Sequence, residues 1–237
     1  MDGLMGLGGT LALLALLGAV VGLIDRRHFS PRWLIAAMAL VAVNDLLLTR
    51  FYGLLPGLIG GDRNWEGKLL ALAATLAIAA LPAFGWRRVG LTLAQAPGNL
   101  RAVAPIVVVY CLFFAAIAMA FPADPATNEE AAFQLTMPGL EEEAFYRGVL
   151  LFALYRAFGG RVRAMGVDWS WGAVLSCVLF GMTHAFSFAD GQFSFDPLYM
   201  ALTAFPAFLA VWVRLRTGSL LLPILMHNFG NAISLLI

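Results

Sequence analysis

Eight polar side chains sit where this chain is otherwise apolar, and together they could carry out hydrolytic chemistry. Three consecutive carboxylates, Glu141, Glu142 and Glu143, are followed by Arg147; His184 stands alone; His227 precedes Asn228 and Asn231. A desolvated glutamate beside a histidine can take a proton from water, and a second histidine with an asparagine amide can donate hydrogen bonds to an oxyanion forming on a carbonyl. Those are the parts of a peptide hydrolase. The same residues could also form a polar network that joins helices, or a path for protons or substrates.

Helical spacing separates the three glutamates. Glu143 and Arg147 are four apart with the acid first, the favourable order for an intrahelical ion pair. Glu142 is turned about 100° away, on the stripe of Phe145 and Tyr146, so its carboxylate is free for another helix. Glu142 is therefore the better base. Glu141 has no cation three or four residues on and reads as a cavity-lining or near-interface acid. Counting roughly 1.5 Å per residue along each apolar run places Glu142 about 16 Å past Ala131, His184 about 22 Å past Trp169, and His227 and Asn231 about 10 and 16 Å past Leu220. All four can meet if their helices pack together, and His227 and Asn231 share one helix face. In the first half only Asn44 and Asp45 are comparable, and they read as an interhelical hydrogen-bonding pair or as residues near the interface.

The elements that must hold these residues are set by composition. The 237 residues are 61% hydrophobic and 12% charged, against roughly 45–50% and about 25% in soluble domains. Such a chain cannot build a polar shell, so its solvent is lipid. Eight apolar runs, 4–24, 33–49, 69–86, 103–121, 131–158, 169–188, 198–213 and 220–237, approach the length of about 20 residues that crosses a bilayer. The expected fold is an all-α polytopic bundle of about eight transmembrane helices, with the site among the fifth, sixth and eighth. The expected division is an N-terminal four-helix region over 1–121 and a catalytic core over 122–237. The first run lacks a basic leader and reads as a retained anchor. The stretches 50–68 and 87–102 mix apolar and polar residues and could lie along the interface. A net charge of +1 without a basic cluster argues against nucleic acid, and Cys111 and Cys177, both within apolar runs, offer no disulfide framework or CxxC metal site. Only one of the basic residues, Lys68, is a lysine.

Three spaced motifs resemble a known family. Glu142-Glu143-Ala144-Phe145-Tyr146-Arg147 reads EExxxR, Phe180 to His184 reads FxxxH, and His227 to Asn231 reads HxxxN. In this order, each on its own apolar run, they are similar to the motifs of the type II CAAX prenyl endopeptidase and bacteriocin-processing (CPBP, or Abi) family of intramembrane proteases. The resemblance covers 138–237. It implies Glu142 and His184 as the water-activating pair, His227 and Asn231 as the oxyanion-stabilising pair, and Glu143 and Arg147 as a supporting ion pair. It further implies a multi-pass protein of the cell membrane, of bacterial inner-membrane type. The implied substrate is a membrane-embedded or lipid-tethered peptide or protein, with no oligomeric state specified.

Family members have been described both as metalloproteases and as glutamate-dependent proteases. No cofactor is expected here, because neither histidine has an obvious carboxylate partner of the kind a metal-bound histidine usually has. The alternative is zinc held by Glu142, His184 and His227, three protein ligands plus water being the usual open catalytic set. A transport or bacteriocin-immunity protein using the same residues as a relay is a further alternative; it calls for inverted repeats, which the two halves do not show.

Eleven arginines, at 26, 27, 32, 87, 88, 101, 156, 161, 163, 214 and 216, fall on one side of this arrangement, while Arg50, Arg63 and Lys68 fall on the other. The positive-inside rule puts the arginine-rich side in the cytoplasm and both ends of the chain outside. Cysteines introduced at Arg163 and at Asp190 should then label from opposite sides in oriented vesicles, Asp190→Cys from the exterior. Exterior labelling of Arg163→Cys would reverse the topology.

Overall fold

The computed structural model describes residues 1–54 and 61–237. In chain order these form α1 (Asp2–Ile24), α2 (Pro31–Thr49), α3 (Trp65–Ala80), α4 (Asn99–Ala120), a short α5 (Asn128–Gln134), a π-helix (Gly139–Leu150), α6 (Leu151–Ala157), α7 (Trp171–Ala185), α8 (Pro197–Thr217) and α9 (Leu221–Ala232). Every apolar run expected from the sequence contains helix, so the protein is a helical membrane protein. Among the described residues, α1, α2, α4 and α8 are long and apolar enough to cross a bilayer. The others are shorter: the 15 residues of α7 rise only about 22 Å, against a hydrocarbon core of about 30 Å. Of the 50–68 connection, 55–60 lie outside the described residues.

Local chemistry sets the helix ends. The side chains of Asn64, Thr127, Ser170 and Asp196 accept from backbone N–H groups in the first turns of α3, α5, α7 and α8, satisfying donors that have no intrahelical partner. Two short antiparallel hairpins supplement the helices: β1 (Val162–Ala164) with β2 (Val167–Trp169), and β3 (Phe186–Ala189) with β4 (Gln192–Phe195). Their two-residue turns, Met165-Gly166 and Asp190-Gly191, have positive φ at both positions, the turn that suits the twist of a hairpin.

The fifth apolar run is the centre of the molecule. Ala144, Phe145, Val149, Leu150, Leu151, Ala153 and Leu154 are all buried, the all-round apolar burial of a helix enclosed by others. The π-helix and α6 pack against α2, α3, α7 and α9. One hydrophobic core runs through Leu14 and Ala37 of the first half and Phe145, Leu154 and Val211 of the second.

The two ends of the bundle differ in chemistry. At one end arginines close carbonyls: Arg214 donates to Arg88 O, Arg216 to Gly166 O, and Arg161 to the carbonyls of Tyr155, Phe158 and Gly160. At the other end lie the β3–β4 hairpin and an acidic clamp. Glu129 accepts from the backbone N–H groups of Asp62 and Arg63 and from the Trp65 indole, each at 3.1 Å. The neighbouring Glu130 pairs with Arg63, and Asn64 donates to Leu48 O at 2.8 Å. This clamp ties the start of α3 to α2 and α5.

The Asp62 and Arg63 N–H groups hold the exposed Glu129 carboxyl below its usual range. A depressed carboxyl favours the folded state above its ordinary range, and that contribution disappears as pH falls through the lowered value. Glu129→Gln should therefore lower the protection factors of the Asp62 and Arg63 amides at neutral pH, and acidification should lower them in the unaltered protein once the slower intrinsic exchange at acid pH is divided out. Hydrogen exchange followed by mass spectrometry over 61–65 checks both.

Candidate active site

The site is built from four elements, α3, the π-helix, α7 and α9. The π-helix begins where Asn228 of α9 reaches across: its Oδ1 accepts from Gly139 N at 2.7 Å and its Nδ2 donates to Thr136 O at 3.2 Å. A Cβ at Gly139 would lie 2.4 Å from Asn228 Oδ1 and 2.7 Å from Ile224 O, so only glycine allows this approach. A π-helix closes i→i+5 hydrogen bonds, so neighbouring residues turn less than the α-helical 100° relative to one another. Glu141 and Glu142 consequently reach the same cation. Lys68 Nζ donates to Glu141 Oε2 at 2.8 Å and to Glu142 Oε1 at 2.6 Å.

The depth ruler drawn from Ala131 does not apply, because α5 stops at Gln134 and the π-helix starts separately at Gly139. Position follows instead from the neighbours. Lys68 lies in the first turn of α3, and His184 is one residue from the end of α7. The residues gather at the end of the bundle that carries the acidic clamp.

Glu142 faces both histidines. Its Oε2 is 3.9 Å from His184 Nε2 and 3.7 Å from His227 Nε2, beyond direct hydrogen bonding, and this oxygen has no hydrogen-bond partner. The other ring nitrogens are occupied. His184 Nδ1 donates to Phe180 O at 2.8 Å, and His227 Nδ1 donates to Glu143 Oε1 at 2.7 Å. His227 therefore has the carboxylate partner that the sequence reading found for neither histidine. That reading considered each histidine's own neighbourhood, whereas the partner is 84 residues away. Neutral histidines with Nδ1–H committed in this way present lone pairs at Nε2. Glu142 Oε2 then has an imidazole acceptor on each of two neighbouring helices.

Glu143 and Arg147 pair as the i, i+4 spacing requires, at 3.2 Å and with only 1% and 3% of their side chains exposed. Arg147 also lies over the Phe180 ring at 4.0 Å, a favourable cation–π placement away from water. Phe180 packs in turn against both imidazoles. The FxxxH phenylalanine thus supports the histidines with its ring and orients His184 with its carbonyl.

Glu142, Glu143, Arg147, His184, His227 and Asn231 all line one cavity of about 440 Å³. Its far wall, Tyr199, Leu202, Thr203 and Pro206, belongs to α8. Glu141 is fully buried on the opposite side, against a second cavity of about 200 Å³ that also receives Asn44, Asp45 and Lys68. Two participants were missed in the sequence. Lys68 was assigned to an outer loop, although it is the only lysine in the chain. Asn228 stood beside the motif histidine without a role.

Apart from Lys68, this constellation falls within a segment that matches a known family. Residues 129–233 match the type II CAAX prenyl endopeptidase Rce1-like family. The resemblance read from the three motifs holds over this Rce1-like segment, which begins in α5 and ends after α9. Neither the curated proteins nor the solved structures contain a match to the chain. Lys68 and the clamp partners Asp62 and Arg63 lie before the Rce1-like domain.

Glu143→Gln would leave Arg147 without its anion in a nearly dry setting, where breaking one partner of a buried pair costs about 3–5 kcal/mol. The variant should express poorly and melt well below the unaltered protein in detergent. A stable but inactive Glu143→Gln protein would instead assign Glu143 a direct chemical role.

Proposed function

We propose that this protein is an intramembrane endopeptidase in which Glu142 and His184 activate a water and His227 and Asn231 stabilise the oxyanion. The observation that carries this reading is the convergence of Glu142 Oε2 and two imidazole Nε2 atoms at 3.7–3.9 Å on the wall of a large cavity. The 3.9 Å between Glu142 Oε2 and His184 Nε2 is short enough for one water to hydrogen-bond to both. Attack of that water on a peptide carbonyl transfers one proton to the Glu142–His184 pair. The C–N bond then breaks as the same proton passes to the leaving amine. The negative charge on the carbonyl oxygen meets the Asn231 amide and the Nε2–H of a cationic His227, whose charge Glu143 balances through Nδ1.

The cavity wall on α8 supports a membrane-embedded or lipid-tethered substrate, because Leu198, Tyr199, Leu202 and Phe205 of that helix are exposed on the apolar surface. In this reading all eight apolar runs count as passes through the cell membrane, bacterial inner membrane included. Residues 122–237 form the catalytic core and 1–121 the supporting helices. The positive-inside rule places the site toward the exterior face.

A second reading is a zinc site, although among the described residues no group of three His, Cys, Asp or Glu side chains is spaced to hold a metal ion. Glu142, His184 and His227 would hold zinc, with Glu143 and the Phe180 carbonyl as the outer partners that orient metal-bound histidines. When bound, zinc supplies Lewis acidity to the carbonyl and to water. The cluster of three carboxylates, Lys68 and Arg147 carries one net negative charge, which a single imidazolium proton neutralises; this supports the metal-free reading.

Peptide termini should be compared in membranes of cells expressing the unaltered protein or Glu142→Gln. Termini present only with the former are expected, and their absence would overturn the protease reading. A quenched fluorogenic peptide built on such a terminus should lose all turnover with Glu142→Gln or His184→Ala, and about 100- to 1,000-fold with Asn231→Ala, the usual cost of an oxyanion donor. Stoichiometric zinc, with cleavage abolished by chelation and restored by zinc, would replace the metal-free mechanism by the second reading.

A further inference from the structure

The mechanism above uses residues of the Rce1-like domain alone, yet the atom nearest the candidate base comes from outside it. Lys68 Nζ is 2.6 Å from Glu142 Oε1, and its side chain is only 14% exposed. A carboxylate turns broadly about its last torsion, so an untethered Glu142 could present either oxygen, or neither, to the histidines. The Lys68 contact removes that freedom: Oε1 is held by the ammonium, and Oε2 alone faces His184 and His227. Lys68 is itself held in place. Its ammonium also donates to Glu141 at 2.8 Å, and the start of α3 is fixed by the Glu129 clamp on Asp62, Arg63 and Trp65.

We propose that Lys68 is a positioning residue for catalysis, which holds Glu142 by one oxygen so that the other is aimed between the two histidines. This inference rests on Glu142 being the base. It differs from the simpler role that three adjacent acids would explain, in which Lys68 only neutralises buried charge. The two roles separate when the charge is balanced by other means. In Lys68→Met/Glu141→Gln one cation and one anion are removed together, so the net charge around Glu142 is kept while its tether is lost.

The fluorogenic peptide defined above serves as the probe, with kcat, KM and melting temperature measured for each purified variant. A positioning role predicts a double variant that melts near the unaltered protein and keeps its KM but loses about 100-fold in kcat, the usual cost of misplacing a reacting group by about 1 Å. Lys68→Arg, which retains charge and donors, should recover at least tenfold of that loss. A double variant with kcat within threefold of the unaltered protein, alongside an inactive Glu142→Gln, would reduce Lys68 to charge neutralisation and overturn the proposal. Undiminished cleavage by Glu142→Gln would overturn the underlying choice of base. Should Lys68→Met/Glu141→Gln fail to fold, Lys68→Leu/Glu141→Gln makes the same comparison with another side chain that has no donor. Near-unaltered kcat in that variant is equally decisive against the proposal.

Discussion

Three consecutive carboxylates enclosed by apolar helices must each find a compensating group, and the architecture of the candidate site follows from that requirement. Unpaired, each buried charge would cost several kcal/mol. Glu141 is met by Lys68, Glu142 by Lys68 with the two histidines in front of it, and Glu143 by Arg147 and His227. These partners come from α3, α7, α9 and the π-helix itself. Packing those elements around residues 139–147 is therefore a condition for burying the acids.

The π-helix is the local device that makes this possible. Its wider turn brings Glu141 and Glu142 toward one cation while Glu143 still reaches Arg147 four residues on. Starting it without a long preceding helix requires another partner for the Gly139 N–H, and Asn228 supplies one from the turn that also carries His227. One α9 segment thus nucleates the π-helix and presents a histidine to it. At the opposite end of the bundle arginines donate to carbonyls of a turn, of the β1–β2 hairpin and of the end of α6, which anchors the helices away from the acids and leaves the site end to carry the cavity.

The histidine environments constrain the chemistry further. Each Nδ1 is spent on an acceptor, a carbonyl for His184 and a carboxylate for His227. Both Nε2 atoms are left facing Glu142 Oε2, at 3.9 and 3.7 Å. Such a site demands a proton or a cation between its members, and both the metal-free and the zinc readings answer that demand. The Glu143 contact gives His227 a compensated positive charge at the point where the proposed reaction develops a negative one.

Much of this could be read from the chain, because it depends on local pattern. Apolar run length required a helical membrane protein, and the i, i+4 spacing of Glu143 and Arg147 predicted their ion pair. The order of the three motifs pointed to the family found over residues 129–233. Helical periodicity turned Glu142 away from Arg147, but it gave no sign that Glu143 also reaches another helix, at His227. What periodicity could not supply was contact across the chain. Lys68 meets Glu141 and Glu142 over separations of 73 and 74 residues, His227 meets Glu143 over 84, and Asn228 meets Gly139 over 89. The π geometry escaped for the same reason, since its first N–H is satisfied by a distant asparagine. Sequence spacing reports which side chains share a helix face, whereas only the packed bundle brings separate helices within the few ångströms over which ion pairs and hydrogen bonds act.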